Sequence, residues 1–493
     1  MRGRMMPLPT TLVALAALAV LAGLTACSGS DPAPGPAPSS PAVPTTAQEP
    51  QPDFDLALST PVEDSLYPDV GDPGVDALHY DLDLTWDPTT DTLTADEVLT
   101  FRATADASEV RLDFAEPLRI TALRLNGRLA ASAREGKDLV VQSPVRADRR
   151  YRLAITYTGT PQPVRAPTTR DDLLTTGFTI DDEHQVWTMQ EPFGAYTWYA
   201  VNDHPSDKAL YDFALHVPAP WTGIANGRQL SARTQDGVRT TTFHLAEPAA
   251  AYLVTLAFGA YDQREENGPG GVPITYWTPA GDDRFDAGLH TAPAAMRWLE
   301  KYLGPYPFET AGFVVVDSDS GMETQTLITL GNTRYSTSPA VVLHELAHHW
   351  YGDQVTPSDW RDVWMNEGMA SYLQLMFTAE RDERELDNVM YGYLSADAGL
   401  REDFGPPGNY DPTEFGSSNV YYSAALLWHE IRERLGDEAF FSVVRAWPAS
   451  QDNQSSDRET LLTFLERESG VQLDDLWDAW LLSPTTPEAA FEQ

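Results

Sequence analysis

The residues Val341-Val342-Leu343-His344-Glu345-Leu346-Ala347-His348-His349-Trp350 form an apolar stretch with histidines at positions 344 and 348. On a helix that spacing puts both imidazoles on one face, where they can share a metal ion, and it projects Glu345 beside them. Two neutral imidazoles suit Zn²⁺, which needs a third protein ligand and an open position for water if it is to be catalytic. Nineteen residues after His348, the run Val363-Trp364-Met365-Asn366-Glu367-Gly368-Met369-Ala370 offers Glu367. A turn through Gly352, Asp353 and Pro357 would let a second helix pack back and deliver that carboxylate. Alone, Glu367 reads as a solvated helix-entry residue. Opposite two presented imidazoles it reads as the third ligand of a His₂Glu site, so one Zn²⁺ per chain is the expected cofactor. His349 points about 100° away from His348 and is expected to pack or support rather than ligate.

Outward from this stretch the pattern is helical. Ala292 to Tyr302 and Ser423 to Leu435 are amphipathic, and the apolar run Phe313 to Val316 suits a buried strand. Before about residue 278 the chain instead alternates in short segments, such as His79 to Trp86 and Tyr151 to Tyr157, punctuated by Asn-Gly, Asp-Pro and Gly-Pro turns. The expected fold class is therefore multidomain α+β, with an all-β sandwich or saddle over 67–277 and a mainly helical α/β domain over 278–493. No internal repeat is visible.

The N-terminus carries a different message. Arg2 and Arg4 precede an uncharged, almost wholly apolar run from Leu12 to Leu24, which closes on Leu24-Thr25-Ala26-Cys27. That is the build of a signal peptide, too short to span a bilayer, and its end resembles a bacterial lipobox with Cys27 as the lipidated residue. Residues 1–27 are expected to be a lipoprotein signal peptide. Residues 28–66 are expected to be a tether, since eight of the 25 residues from Ser28 to Pro52 are proline. The resulting location is extracytoplasmic, held to the cell membrane by an N-terminal lipid alone. With 33 Lys+Arg against 73 Asp+Glu and a net charge of -40, nucleic acid is excluded as a partner. A single cysteine excludes a disulfide framework. Oligomeric state is not legible.

His344-Glu345-Leu346-Ala347-His348-His349-Trp350-Tyr351-Gly352-Asp353-Gln354-Val355-Thr356, followed by Trp364-Met365-Asn366-Glu367-Gly368-Met369-Ala370, resembles the zinc signature of the M1 aminopeptidases, a gluzincin family. Ser320-Gly321-Met322-Glu323-Thr324 resembles the family's Gly-x-Met-Glu-Asn segment, with Thr324 in place of Asn. Glu191-Pro192 through Asp203-His204-Pro205 resembles the end of its β domain, although Met189 stands where the family has Gln, leaving Gln190 as a possible substitute. Val420-Tyr421-Tyr422-Ser423-Ala424-Ala425 resembles Tyr-x-Lys-Gly-Ala without its Lys and Gly, mapping the catalytic tyrosine to Tyr421 with Tyr422 as rival. The resemblance implies a thermolysin-like catalytic domain and a zinc aminopeptidase acting on peptides. His344, His348 and Glu367 would hold the metal, Glu345 would be the general base, and Tyr421 would donate to the oxyanion. Gly321 and Met322 would present backbone to the substrate, and Glu323 and Glu191 would receive its α-ammonium. The alternatives are a gluzincin endopeptidase, a peptide epoxide hydrolase-like activity, and a surface peptide-binding protein with a degenerate site.

Overall fold

The computed structural model describes residues 53–492 except 452. Cys27, the signal segment and the Pro-rich stretch up to residue 52 lie outside the described residues. The first half is built from antiparallel strands whose alternating pattern buries one face, as in Val75–Asp87 and Thr92–Ala103. These two join Arg228–Gln235, Val238–Ala250, Lys208–Pro218, Arg150–Gly159, Arg119–Leu125 and Arg128–Leu129 in an eight-stranded sheet. One pairing in it, Val75–Asp87 with Lys208–Pro218, is parallel. A five-stranded sheet containing Thr175–Ile180, Val186–Met189 and Leu256–Gly259 packs alongside, and one contiguous apolar core runs from here into the second half.

The second half opens with another five-stranded sheet and continues as helices. Pro273–Pro279, Ala311–Val316 and Ile328–Gly331 are parallel, flanked on the outside by Tyr261–Asn267 and by the short antiparallel edge strand Gly321–Met322. Two of these strands come from residues that the alternating pattern had placed in the β half. The sheet therefore puts the passage between halves near Gly259 to Tyr261, earlier than the compositional step at 277–278. Periodicity could not separate them, because an edge strand and its neighbour alternate alike in either sheet.

Residues 53–66 also differ from their expectation as tether. Phe54–Ala57 makes a 3-10 turn that buries Ala57 against Leu78 and Leu210. Asp64 is buried, accepting from Leu66 N and Tyr67 N (both 2.8 Å) and from Trp360 N (2.7 Å), while Ser65 Oγ donates to Asp359 Oδ1 at 2.8 Å. Hydrogen bonds to distant residues hold this segment, and composition does not reveal them. Among the described residues, no helix is long and apolar enough to cross a membrane.

Candidate active site

Two buried helices supply four of the expected site residues. The motif helix Pro339–His348 starts on Ser338, whose side chain accepts from Val341 N, with proline at its first position. The partner helix Trp364–Arg381 packs back on it and carries Glu367 in its first turn. Gly368 makes a close crossing possible: a Cβ there would lie 2.5 Å from Ala424 Cβ, at the start of the tyrosine helix Ala424–Leu435. That helix is entered through a π-helical turn, Asn419–Ser423, containing Tyr421 and Tyr422.

The three expected ligands converge. His344 Nε2 lies 3.2 Å from Glu367 Oε2 and 3.1 Å from His348 Nε2, and His348 Nε2 lies 3.3 Å from Glu367 Oε2. Ligands about 2.0 Å from a tetrahedral ion stand about 3.3 Å apart, so this near-equilateral triangle fits Zn²⁺. His348 is oriented by its other ring nitrogen, Nδ1, 3.1 Å from Tyr351 O. His349 turns away and bonds Tyr306 Oη at 2.7 Å, in line with a supporting role.

Around the triangle a cavity of about 550 Å³ is lined by residues from both halves, including Glu191, Gly321, Met322, Glu323, Glu345, Tyr421 and Tyr422. Gly321 sits on the edge strand against Glu345. A Cβ there would approach Glu345 Oε1 to 3.1 Å. Tyr421 stacks on His344 with ring centroids 6.1 Å apart at 21°, whereas Tyr422 stacks on Tyr393 at 4.5 Å. Of the rival tyrosines, Tyr421 is thus the one ranged over the metal triangle.

Charge is the unusual property of this cavity. Burial, opposed by His348 and reinforced by Glu323 and Glu367, pushes the Glu345 carboxyl up to about 8. Burial likewise raises Glu323, and it raises Glu191 well above the usual carboxylate range with help from Glu323 and Glu367. Glu367 behaves oppositely: burial disfavours its charge, but His348 and His344 outweigh that and hold it below its ordinary value. His348 is raised in spite of burial, because Glu323 and Glu367 surround it. Glu191 Oε1 and Glu323 Oε1 have no hydrogen-bond partner. Four buried carboxylates, two with orphaned oxygens, make a cavity that favours cations.

The residues that depart from the family pattern do other work. Gln190 faces inward, donating to Ala251 O (2.7 Å) and accepting from Trp198 Nε1 (2.9 Å), so it does not replace the missing glutamine, and Met189 lines the cavity instead. Thr324 is buried, its hydroxyl bonded to Leu327 O and 3.0 Å from Thr329 Oγ1. Asp203 braces the Glu191 loop by accepting from Gly194 N at 2.8 Å. Sequence reading missed two participants altogether. Lys208 is buried on a β strand and donates to Asp353 O (2.7 Å) and Gln354 O (3.2 Å), tying down the turn after the motif helix. Arg170, from the β half, lines the cavity and reaches Tyr421. Neither lies in a spacing pattern that could have revealed it.

Comparison with known proteins gives a consistent result. Residues 76–253 match the peptidase M1 N-terminal domain and residues 287–480 the peptidase family M1 domain. Aminopeptidase N of Lactococcus lactis subsp. lactis is 25% identical over 59% of this chain and 38% of its own length. Aminopeptidase N of Streptomyces lividans is 26% identical, over 61% of this chain and 38% of its own. The chain thus spans little more than a third of these curated relatives. An M1 zinc metallopeptidase from Deinococcus radiodurans superposes with a TM-score of 0.77 at 27% identity, covering 87% of this chain and 98% of that one. A variant of a two-domain M1 zinc metallopeptidase bound to L-tryptophan gives 0.79 at 27% identity, with 87% and 99% coverage.

Proposed function

We propose that this chain, which belongs to peptidase family M1, is a zinc-dependent aminopeptidase that removes N-terminal residues from peptides. The observation that carries the reading is the pair Glu191 and Glu323, buried from two halves of the molecule with unpartnered oxygens, beside a His₂Glu triangle of zinc dimensions. An α-ammonium buried on binding needs such anionic partners. A related M1 zinc metallopeptidase from Deinococcus radiodurans has been solved as a variant bound to a Tyr-Ser-Ala substrate.

When bound, zinc supplies a Lewis acid that activates water and polarises the scissile carbonyl. The chain's own groups do the rest. Glu345 takes the water's proton and passes it to the leaving amine. Tyr421 donates to the carbonyl oxygen as it becomes negative. The edge strand Gly321–Met322 offers backbone groups to an extended peptide, as sheet edges do. Glu191 and Glu323 hold the amine and thereby fix which bond lies over the metal. The test compares a peptide with its N-acetylated twin. The free-amine form should be trimmed one residue at a time and preferred on the order of 10²-fold or more, since an unpaired buried charge costs several kcal/mol. Equal cleavage, or internal cuts, would point to an endopeptidase instead. Tight peptide binding without turnover by zinc-loaded protein would point to a binding protein.

We also propose anchoring to the extracytoplasmic face of a bacterial membrane by lipid on Cys27, supported by the apolar run ending in Leu24-Thr25-Ala26-Cys27. Metabolic labelling with an alkynyl fatty acid should mark the wild-type protein but not Cys27→Ala, which should leave the membrane fraction. Unlabelled wild-type protein would overturn this.

A further inference from the structure

The geometry points to Arg170 as the positioning residue of the Tyr421 hydroxyl: a guanidinium delivered from the β half that fixes where the phenol's proton points. The inference rests on the aminopeptidase reading and adds to it a residue that lies in none of the zinc-signature segments.

Arg170 sits at the tip of an arm. Its stem is the antiparallel pairing of Val164–Arg165 with Thr175–Ile180, extended by Ala166 N to Leu174 O at 3.1 Å. The tip reaches over the cavity and is held to the catalytic half by Phe415 N donating to Pro167 O (2.9 Å) and by Thr169 Oγ1 donating to Glu414 Oε2. Arg170 then spreads across the gap. Nη1 donates to Tyr421 Oη and to Gly416 O, both at 3.0 Å. Nε and Nη2 grip Asp172 at 3.0 and 2.6 Å, and Ser320 Oγ, next to the edge strand, lies 3.4 Å from Asp172 Oδ2.

Donor accounting fixes the consequence. A guanidinium has five N–H groups and no acceptor. Four are used here, including the whole fork, so little remains with which to seize a substrate carboxylate. The bond to Tyr421 must run from Arg170 to the phenolic oxygen. That oxygen is therefore capped on one side by a donor, and its own proton is left to point elsewhere, while the ring is stacked on His344. With that side capped, the proton turns toward the Glu367 carboxylate, a contact the oxyanion replaces as it forms, whereas without Arg170 the phenolic oxygen is free to shift. The charge adds a second effect. Among the described residues lining the cavity Arg170 is the only Arg or Lys, and it lies where the phenol gains negative character as it donates.

A double-mutant cycle separates this role from a merely structural one. On an aminoacyl anilide, with zinc content and melting temperature matched to wild type, Arg170→Met should lower kcat roughly 10- to 50-fold with KM changed less than about threefold. Arg170→Lys, which keeps the charge but loses the fork, should fall between. In a Tyr421→Phe background, Arg170→Met should cost less than about twofold, since its target is gone. Wild-type turnover by Arg170→Met, or an equal loss in both backgrounds, would overturn the inference. Full activity in Tyr421→Phe would overturn it together with the role given to Tyr421, whereas an inert free-amine peptide would strike the aminopeptidase reading itself.

Discussion

The two walls of the cavity are built on opposite principles. One wall is helical: His344, Glu345, His348 and Glu367 come from two helices, each ligand held by helix geometry and local packing. The other is made of loops and strand ends: Glu191 after one strand, Glu323 after another, and Arg170 at the tip of an arm. On the helical wall the ligand atoms of His344, His348 and Glu367 face one another across 3.1–3.3 Å. On the loop wall one carboxylate oxygen each of Glu191 and Glu323 is buried without a hydrogen-bond partner. On the proposed reading the contrast is a division of labour, with the reacting centre on stiff elements and the selection of substrate on loops and strand ends.

That division can be broken experimentally, beginning where the largest effect is expected. Removing the metal with a chelator should abolish turnover reversibly, and Glu345→Gln should retain zinc yet lose on the order of 10³–10⁴ in kcat, as measured by metal analysis beside steady-state rates. Activity surviving complete metal removal would sink the reading of the helical wall. Next, Tyr421→Phe should lose on the order of 10²–10³ in kcat with little change in KM, and Tyr422→Phe should stay within a few-fold of wild type. The reverse ranking would mean that the π-helical turn presents the other phenol during catalysis. On the loop wall, Glu323→Ala should slow a free-amine peptide by about 10²-fold while leaving an acetylated one nearly unchanged, so the ratio between them collapses. The smallest effect belongs to Gln190→Met. It should cost about 1–3 kcal/mol of stability in a denaturant titration, by orphaning Ala251 O and Trp198 Nε1, yet keep kcat within twofold.

The same contrast explains what could be read from the sequence. A helix converts sequence spacing into a face, so His344 and His348 could be placed together from four-residue separation alone, and Glu367 followed from their unmet coordination. The long strands and the amphipathic helices were legible for a similar reason, since burial writes a period into them. The loop wall has no period. Glu191 and Glu323 could be named only through resemblance to family segments, and Arg170 and Lys208 could not be named at all, because their partners lie 251 and 145 positions away along the chain. Gln190 shows the limit of matching by position: it sits next to the expected slot, just past the strand Val186–Met189, but its amide is committed to Ala251 and Trp198.

The N-terminal segment has a mechanical consequence. Tension applied at residue 53 would first load the bonds that fasten residues 55–59 to the β half, among them Arg150 to Asp55, Ser59 N to Asp76 Oδ1 at 3.0 Å, and Arg102 Nη2 to Ser59 O at 2.9 Å. Asp64 and Ser65, five and six residues after Ser59, carry any remaining pull directly into Trp360 and Asp359, at the foot of the helix that bears Glu367. The strain therefore divides between the two halves before it can lever one against the other. A pull from residue 53 would thus be taken up at these bonds before it reached the arm that carries Arg170.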